Sequence, residues 1–491
     1  MSRPRNLPAA GATAVAAIVA CLAGCAVGPN YHRSSAPVTQ TFKEMAGWTP
    51  SRPADALDKG AWWSMFDDPV LDSLEKRVVI SNQTVKQYEA AYREAHELVI
   101  EARAAFFPTL SADASATRSR APVSASTTSG PTSASSPASS STAEIISNSF
   151  TAALEASWAP DLWGKIRRTV ESNKALAQAS AADLANATLS AQASLAQDYF
   201  DLRVLDEETR LYQDIVAADQ KFLALTQDQV REGSQPESAV LAAKTQLLGA
   251  QSSLIAVGVG RADMEHAIAI LVGVGPADLT IAPAALRRDV PTPAVSLPAT
   301  LLERRPDVAG AERRMASANA LIGVAVSAYF PDLTLTGNYG AAGDDIGRLF
   351  SASTTVWSLG AEATETLLDF GARGAQVAAA RAAYDEDVAI YRETVLTALQ
   401  GVEDELAALR IYQRQQAVAI EAEQVAQQNV KLDIDEYREG TIDYTTVITA
   451  QNNLQTASLS VLTVLESRLG ASVLLIENIG GGWAATDLPK S

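Results

Sequence analysis

Short motifs occur twice in this chain, in the same order, and that duplication narrows the folds open to it. Ala105-Phe106-Phe107-Pro108-Thr109-Leu110 returns as Ala328-Tyr329-Phe330-Pro331-Asp332-Leu333, and Asp161-Leu162-Trp163-Gly164 returns as Asp369-Phe370-Gly371. Arg231-Glu232-Gly233-Ser234 returns as Arg438-Glu439-Gly440-Thr441. Ala243-Lys244-Thr245-Gln246-Leu247 then aligns without a gap on Ala450-Gln451-Asn452-Asn453-Leu454. A period near 207 residues is too long for a solenoid and marks a duplicated half-domain.

Each copy opens on an aromatic-Pro step and then alternates with period two. Leu110, Ala112, Ala114 and Ala116 share one face, with Ser111, Asp113, Ser115 and Thr117 on the other. Phe150, Ala152, Leu154, Ala156 and Trp158 repeat the pattern, as do Leu333, Leu335, Gly337 and Tyr339, then Trp357, Leu359, Ala361 and Ala363. Strands of this kind suit a barrel with lipid outside and water inside, although alternation alone fits a soluble sheet equally well. Residues 118–147, rich in Ser, Thr, Ala and Pro, read as a flexible exposed loop or an interdomain linker. The short counterpart at 341–353 favours a loop, on the cell-exterior side.

After each second strand comes a long helical pattern. Residues 165–231 and 372–438 contain no proline, and the second stretch has only Gly374 and Gly401 inside it. In it, Ile411, Val418, Val425 and Leu432 step by sevens, which keeps one seam toward a neighbouring helix. At 1.5 Å per residue, a helix of this length is a rod of roughly 100 Å, the scale of a periplasm rather than of a globular domain. Gly233 is expected to be a left-handed C-cap, with Ser234-Gln235-Pro236-Glu237 as a capping box that has proline at the second helical position. Gly440 plays the same part, with Thr441 and Asp443 as candidate N-caps. The descending helices are then 165–232 and 372–439, and the returning helices lie near 236–274 and 444–477.

The N-terminus sets the compartment. Arg3 and Arg5 precede an apolar run at 9–23 that is too short to span a bilayer. It ends in Leu22-Ala23-Gly24-Cys25, which resembles the bacterial lipobox. That resemblance implies cleavage before Cys25 and acylation of its thiol and new amino group. Ala26, where an inner-membrane retention signal has aspartate, points to the outer membrane. With Cys21 removed and Cys25 lipidated, the mature chain has no thiol for a disulfide, a metal site or a nucleophile. The net charge of −18, more negative still once two leader arginines are gone, argues against a nucleic-acid binder. No later run of about 18 apolar residues is expected to cross a membrane, so further membrane contact falls to strands.

Four strands cannot close a membrane barrel, because about eight is the practical minimum and lipid tolerates no open edge. The chain must share its strands with other copies. The whole mature sequence resembles the outer-membrane factor (TolC/OprM-like) family, in its NodT-like lipoprotein branch serving resistance-nodulation-division efflux systems. The resemblance is carried by Cys25-Ala-Val-Gly-Pro-Asn-Tyr31, Trp62-Trp63, Phe66-Asp67-Asp68-Pro69-Val70-Leu71, Arg304-Arg305-Pro306-Asp307-Val308, Ala311-Glu312-Arg313-Arg314 and Gly323-Val324-Ala325. It implies an α+β membrane protein of Gram-negative bacteria. Its homotrimer forms a 12-stranded transmembrane β-barrel, four strands per chain, continuous with a long periplasmic α-helical barrel. The implied function is a passive exit duct for drugs or other small molecules, driven by an inner-membrane pump through a periplasmic adaptor protein. The exit duct of a type I protein secretion or metal-cation efflux system is the alternative.

On this reading the chain comprises a leader (1–24), an N-terminal segment with the first helix (25–103) and strands 1–2 with loop 118–147 (104–160). The copy-one helical hairpin (161–275) and an equatorial linker with five prolines (276–298) follow. Copy two supplies a helix (299–327), strands 3–4 (328–368), its hairpin (369–478) and a tail (479–491).

No enzyme chemistry is visible. His32, His96 and His266 share no motif with a nucleophile or ligand cluster, and Gly480-Gly481-Gly482 lacks the lysine and helix of a phosphate loop. No metal site and no cofactor is expected beyond the lipid on Cys25. By resemblance, the hairpin tips Arg231, Glu232, Gly233 and Ser234, and Arg438, Glu439, Gly440 and Thr441, dock the adaptor. The periplasmic gate falls on Tyr437, Asp443, Thr445 and Thr449. Relatives often have an aspartate where Thr449 stands and a leucine where Thr445 stands. A gate held by packing and by polar contacts around Tyr437 and Asp443, with weak divalent-cation block, is therefore expected.

Overall fold

The computed structural model describes residues 26–39, 41–44, 61–122, 144–291 and 304–489. The leader, Cys25, residues 123–143, and residues 292–303 at the linker–helix junction lie outside the described residues. Helices α1 (Pro69–Ser81) and α2 (Gln83–Ala104) precede strands β1 (Thr109–Pro122) and β2 (Glu144–Trp158). Copy one ends in α3 (Lys165–Arg231) and α4 (Glu237–Leu271). Copy two runs α5 (Pro306–Ser327), β3 (Asp332–Gly343), β4 (Thr355–Thr364), α6 (Ala372–Arg438) and α7 (Tyr444–Asn478). Helices α3 and α6 have 67 residues each and α4 and α7 have 35 each, so the duplication extends to element lengths.

The chain forms two compact units. The first comprises Met1–Tyr31, Glu97–Asn173 and Ser317–Tyr384. Its centre is a four-stranded antiparallel sheet in the order β1-β2-β3-β4. The register aligns Ala112, Leu154, Tyr339 and Trp357 in one row, and Leu110, Ala156, Gly337 and Leu359 in the next row on the same face. The opposite face carries Ser111, Glu155, Asn338 and Ser358 in one row, with Asn338 Nδ2 donating to Glu155 Oε1 at 3.3 Å. The period-two alternation therefore survives pairing and yields one apolar and one polar face.

The stretch 118–147 corrects the expectation of a loop over its described ends. Arg118–Pro122 continue β1 and Glu144–Ser147 lie in β2, paired in register. Hydroxyl pairs Ser115–Thr151 and Ser119–Ser147, each at 2.8 Å, rung this ribbon. Small polar residues that look like a linker by composition still pair through backbone groups, which are indifferent to side-chain polarity.

Both strand-to-helix turns are built alike. Asp161 accepts from the Ile166 and Arg167 amides at 3.0 Å and from Arg167 Nε, and Asp369 accepts from the Gly371 and Arg373 amides and from Arg373 Nε. Each carboxylate thus satisfies orphan amides at a helix start and complements its dipole. Residues 26–30 are clamped nearby. The Arg168 guanidinium donates to the Val27 and Gly28 carbonyls and to Asn30, and Asn319 donates to the Pro29 carbonyl. Gly28 has φ +93°, and a Cβ there would stand 2.4 Å from Gly323 Cα, so both glycines are required by close backbone approach. This accounts physically for two of the motifs that carried the resemblance.

The second unit comprises His32–His96, Lys174–Ala316 and Asp385–Ser491. Its largest core gathers Trp62, Trp63, Phe66 and Leu71 with Leu195, Tyr199 and Phe200 of α3 and Leu465, Leu469 and Ile476 of α7. Asp68 caps α1 through the Val70 and Leu71 amides, and the Tyr199 hydroxyl donates to its other oxygen at 2.6 Å. The N-terminal segment thus contributes two helices where one was expected. The described linker residues lie against α3 and α4 through a buried network. Asp206 binds Arg203 at 2.9 Å and Arg261 at 2.8 Å, and these arginines donate to the Ala282 and Ile281 carbonyls. Arg305 grips the end of α7 by donating to the Asn478 carbonyl at 2.8 Å while pairing with Asp307.

Helix α7 is the one described helix long and apolar enough by length and average composition to cross a membrane, although no unbroken run of about 18 apolar residues occurs in it. Its apolar side chains Val461, Leu465, Leu469, Val473 and Ile476 are buried in the protein core instead. Composition alone does not separate a core helix from a span.

Candidate functional site

The sheet offers two functional surfaces because, among the described residues, most of each face is uncovered. Trp357 is 71% exposed and Leu359 81% exposed on the apolar face, and every residue of β4 is exposed. Transferring large apolar side chains from water to hydrocarbon is worth about 1.5–3 kcal/mol each, so this face calls for lipid or a partner. β1 pairs only with β2 and β4 only with β3, leaving both edges of the sheet unpaired among the described residues.

The hairpin tips are near-copies. Gly233 and Gly440 take φ of +73° and +75°, the left-handed C-cap the sequence implied. The Ser234 amide donates to the Gln229 carbonyl at 2.9 Å and the Thr441 amide to Glu436 at 3.0 Å, closing a Schellman-type turn at each tip. The Ser234 and Thr441 hydroxyls also donate back to those same carbonyls. This corrects the expected capping box. Glu237 is the first residue of α4, Pro236 occupies the N-cap without a side-chain bond, and Ser234 serves the preceding helix. Asp443 is the N-cap of α7 but its side chain caps nothing, and Thr441 is not a cap. Arg231, Glu232, Ser234, Arg438, Glu439 and Thr441 are all exposed, and nothing lies within 4 Å of a Cβ built on either glycine. Arg231 pairs with Asp228, and Arg438 with Asp435 at 3.2 Å, so each tip presents its arginine in the same setting.

The four expected gate residues separate into two kinds. Tyr437 is fully buried, 5.3 Å ring to ring from Phe222 and 6.0 Å from Tyr444, in a cluster with Val447 and Ala243. It joins the copy-two hairpin to α3 by packing, and burial raises its phenol. Asp443, Thr445 and Thr449 are exposed. The Thr449 hydroxyl donates to the Thr445 carbonyl at 2.8 Å, so its proton is used within its own helix.

Residues that sequence reasoning missed lie on the helices. Phe222 and Tyr444 complete the aromatic cluster, and Asp219 is buried beside it with Oδ2 unpaired. Burial pushes the Asp219 carboxyl up to about 6. Further along α3 and α7, Asp201 and Glu466 lie beside each other, and burial raises both carboxyls. Burial, with Asp201 and Glu208 adding repulsion, pushes Glu466 up to about 7, and burial with Asp201 pushes Asp198 to about 6. No periodic signal marks these positions, because carboxylates on a long helix normally face water. Among the described residues no group of His, Cys, Asp and Glu is arranged to hold a metal ion.

A sheet with one apolar and one polar face, both open, in one chain with paired helical hairpins whose tips are exposed, defines a membrane-embedded duct subunit. Residues 76–274 and 297–481 match the outer membrane efflux proteins, and the chain belongs to that family. It is therefore an outer-membrane protein of efflux. The toluene efflux pump outer membrane protein TtgC of Pseudomonas putida is 29% identical over 469 residues, covering 94% of this chain and 93% of that protein. The outer-membrane channel OprN superposes with a TM-score of 0.83 at 26% identity, over 94% of this chain and 100% of OprN. The Campylobacter jejuni CmeC outer membrane channel shares the fold at 22% identity, with a TM-score of 0.84 over 94% of this chain and 96% of that one.

Proposed function

We propose that three copies of this chain close one transmembrane barrel of twelve strands over a helical tube, forming the passive exit duct of a tripartite efflux system. The supporting observation is the sheet itself, which has two unpaired edges and an apolar face that one chain cannot cover. The exposed seam Ile411, Val418, Val425 and Leu432 on α6 calls for a neighbouring helix in the same way. A periplasmic adaptor docks on the two tips through Arg231–Ser234 and Arg438–Thr441, and a resistance-nodulation-division pump supplies the energy. Lipid on Cys25 anchors the mature N-terminus, which the Arg168 clamp at residues 26–30 would hold in place.

The cargo is small and organic, an inference resting on the efflux relatives. Tyr437 keeps the resting tips packed together, and Asp443, Thr445 and Thr449 line the constriction without a carboxylate ring at Thr449. Deleting the gene and restoring it on a plasmid tests the account. Sensitivity to solvents and lipophilic drugs should rise on deletion and return to wild type on complementation. Unchanged susceptibility to every such compound, with the pump and adaptor expressed, counts against this cargo class.

A further inference from the structure

Within the chain, the turn after β2 packs on the aromatic-Pro step that precedes β3. Trp163 stacks on Phe330 with ring centroids 4.7 Å apart and planes at 22°, and its Nε1 donates to the Pro331 carbonyl at 2.8 Å. By the duplication, Phe370 holds the place of Trp163, just before the turn glycine, and Phe107-Pro108 holds the place of Phe330-Pro331. The two counterparts do not satisfy each other in one chain. Phe370 is 93% exposed and Phe107 is 70% exposed. Leu367 and Leu368, beside Phe370, are exposed as well.

The register says where a partner for Phe370 must come from. Thr109 lies opposite Ser157, Trp158 opposite Leu335, and Asp332 opposite Thr364. The start of β1 and the end of β4 therefore lie at the same end of the sheet, on its two opposite edges. If β4 of one copy pairs antiparallel with β1 of the next, residues just after Thr364 come alongside residues just before Thr109. We infer that Phe370 stacks on Phe107 of a second copy of this chain, with Leu367 and Leu368 covering the same step. The contact repeats between chains the Trp163–Phe330 stack made inside each chain. It rests on the trimer reading above and adds the residues that seal the periplasmic foot of the barrel.

The backbone agrees. Phe370 has φ +52°, one of two non-glycine residues with positive φ among those described, and a left-handed aromatic residue is uncommon. Asp369, just before it, holds the turn by accepting from the Gly371 and Arg373 amides that follow. A rigid turn that aims a large apolar ring outward is ready to meet a partner, whereas for a water-facing residue the strain would serve nothing.

Two variants test this, read against native mass spectrometry of the same preparation. Phe107→Cys/Phe370→Cys, treated with a short bismaleimide, should give covalent dimers and trimers on denaturing gels. Either single variant should remain monomeric. As a second probe, a photoreactive benzoylphenylalanine at position 370 should cross-link to the peptide spanning residues 105–108 of another copy. Intact trimers whose position 370 labels only lipid or its own chain, with no covalent oligomer from the double variant, overturn the inference and leave the trimer standing. Preparations that are monomeric throughout overturn the trimer reading and this contact with it.

Discussion

Phe222 of copy one stacks on Tyr444 of copy two with ring centroids 4.9 Å apart and planes at 19°. This pair, with Tyr437, ties the two hairpins of one chain together next to their tips. Phe222→Ala should cost about 3 kcal/mol locally, as removal of a buried aromatic ring usually does. On the proposed gate the tips open when the hairpins part, so single-channel conductance in planar bilayers should rise from a low resting level. Conductance unchanged from wild type would show that this cluster does not hold the tips together.

Asp219 gives the same cluster a pH response. Its folded-state carboxyl is pushed by burial up to about 6, above the ordinary value of 3.8, so the neutral form favours the packed state. That stabilisation is complete below 3.8 and is lost as pH rises through about 6. Channels should therefore be quieter at about pH 5 than at about pH 7.5, and Asp219→Asn should hold the acidic behaviour at both pH values. Noise and conductance measured across this range in wild type and variant check the assignment.

The tips should separate fold from docking. Gly440→Ala forces a left-handed backbone on a residue with a Cβ and should cost about 1–2 kcal/mol, with trimer and surface level retained. Arg438→Glu combined with Glu439→Arg changes exposed charge and gives up the exposed Arg438–Asp435 pair. It should restore little or no drug resistance in a deletion strain while the protein accumulates normally. Pull-down of the adaptor from detergent extracts distinguishes lost docking from lost channel.

In the proposed gate, position 449 carries a threonine and so adds no carboxylate ring of its own to the constriction. Thr449→Asp would place three like charges around one axis in a trimer and should tighten divalent-cation block by about tenfold or more through charge alone. Wild-type current blocked as tightly as that of Thr449→Asp would contradict the proposed gate.

Much of this fold was legible because duplication and periodicity are global signals. The strand faces, the two 67-residue helices and the glycine C-caps at 233 and 440 stand where residue spacing puts them. Cap chemistry was less legible. Ser234 could serve the helix before it or the helix after it, and only the backbone path decides that it donates to Gln229. The ribbon ends at 118–122 and 144–147 were obscured by composition, since backbone pairing leaves no mark on Ser, Thr and Arg. Tyr437 was recognisable as a tip residue, but its burial against Phe222 depends on a contact between copies that a one-dimensional pattern does not contain.

Glu75 is a cost the fold carries. It is fully buried with both oxygens unpaired, and burial with repulsion from Asp72 pushes it up to about 9. Its contribution is greatest below the ordinary value of 4.5 and declines as pH rises toward about 9. Glu75→Gln should raise the melting temperature at about pH 8 and leave it nearly unchanged at about pH 4, flattening the pH dependence seen by calorimetry. A variant less stable than wild type at the higher pH would mean that the carboxylate has a partner when the duct is assembled.

One chain supplies a third of a closed barrel, and the mass of the assembly measures this most directly. Native mass spectrometry of the protein, extracted from outer membranes in mild detergent, should give a single assembly of three times the mature, lipidated chain. A stable monomer or dimer, or a ring of any other number, would contradict the twelve-strand duct.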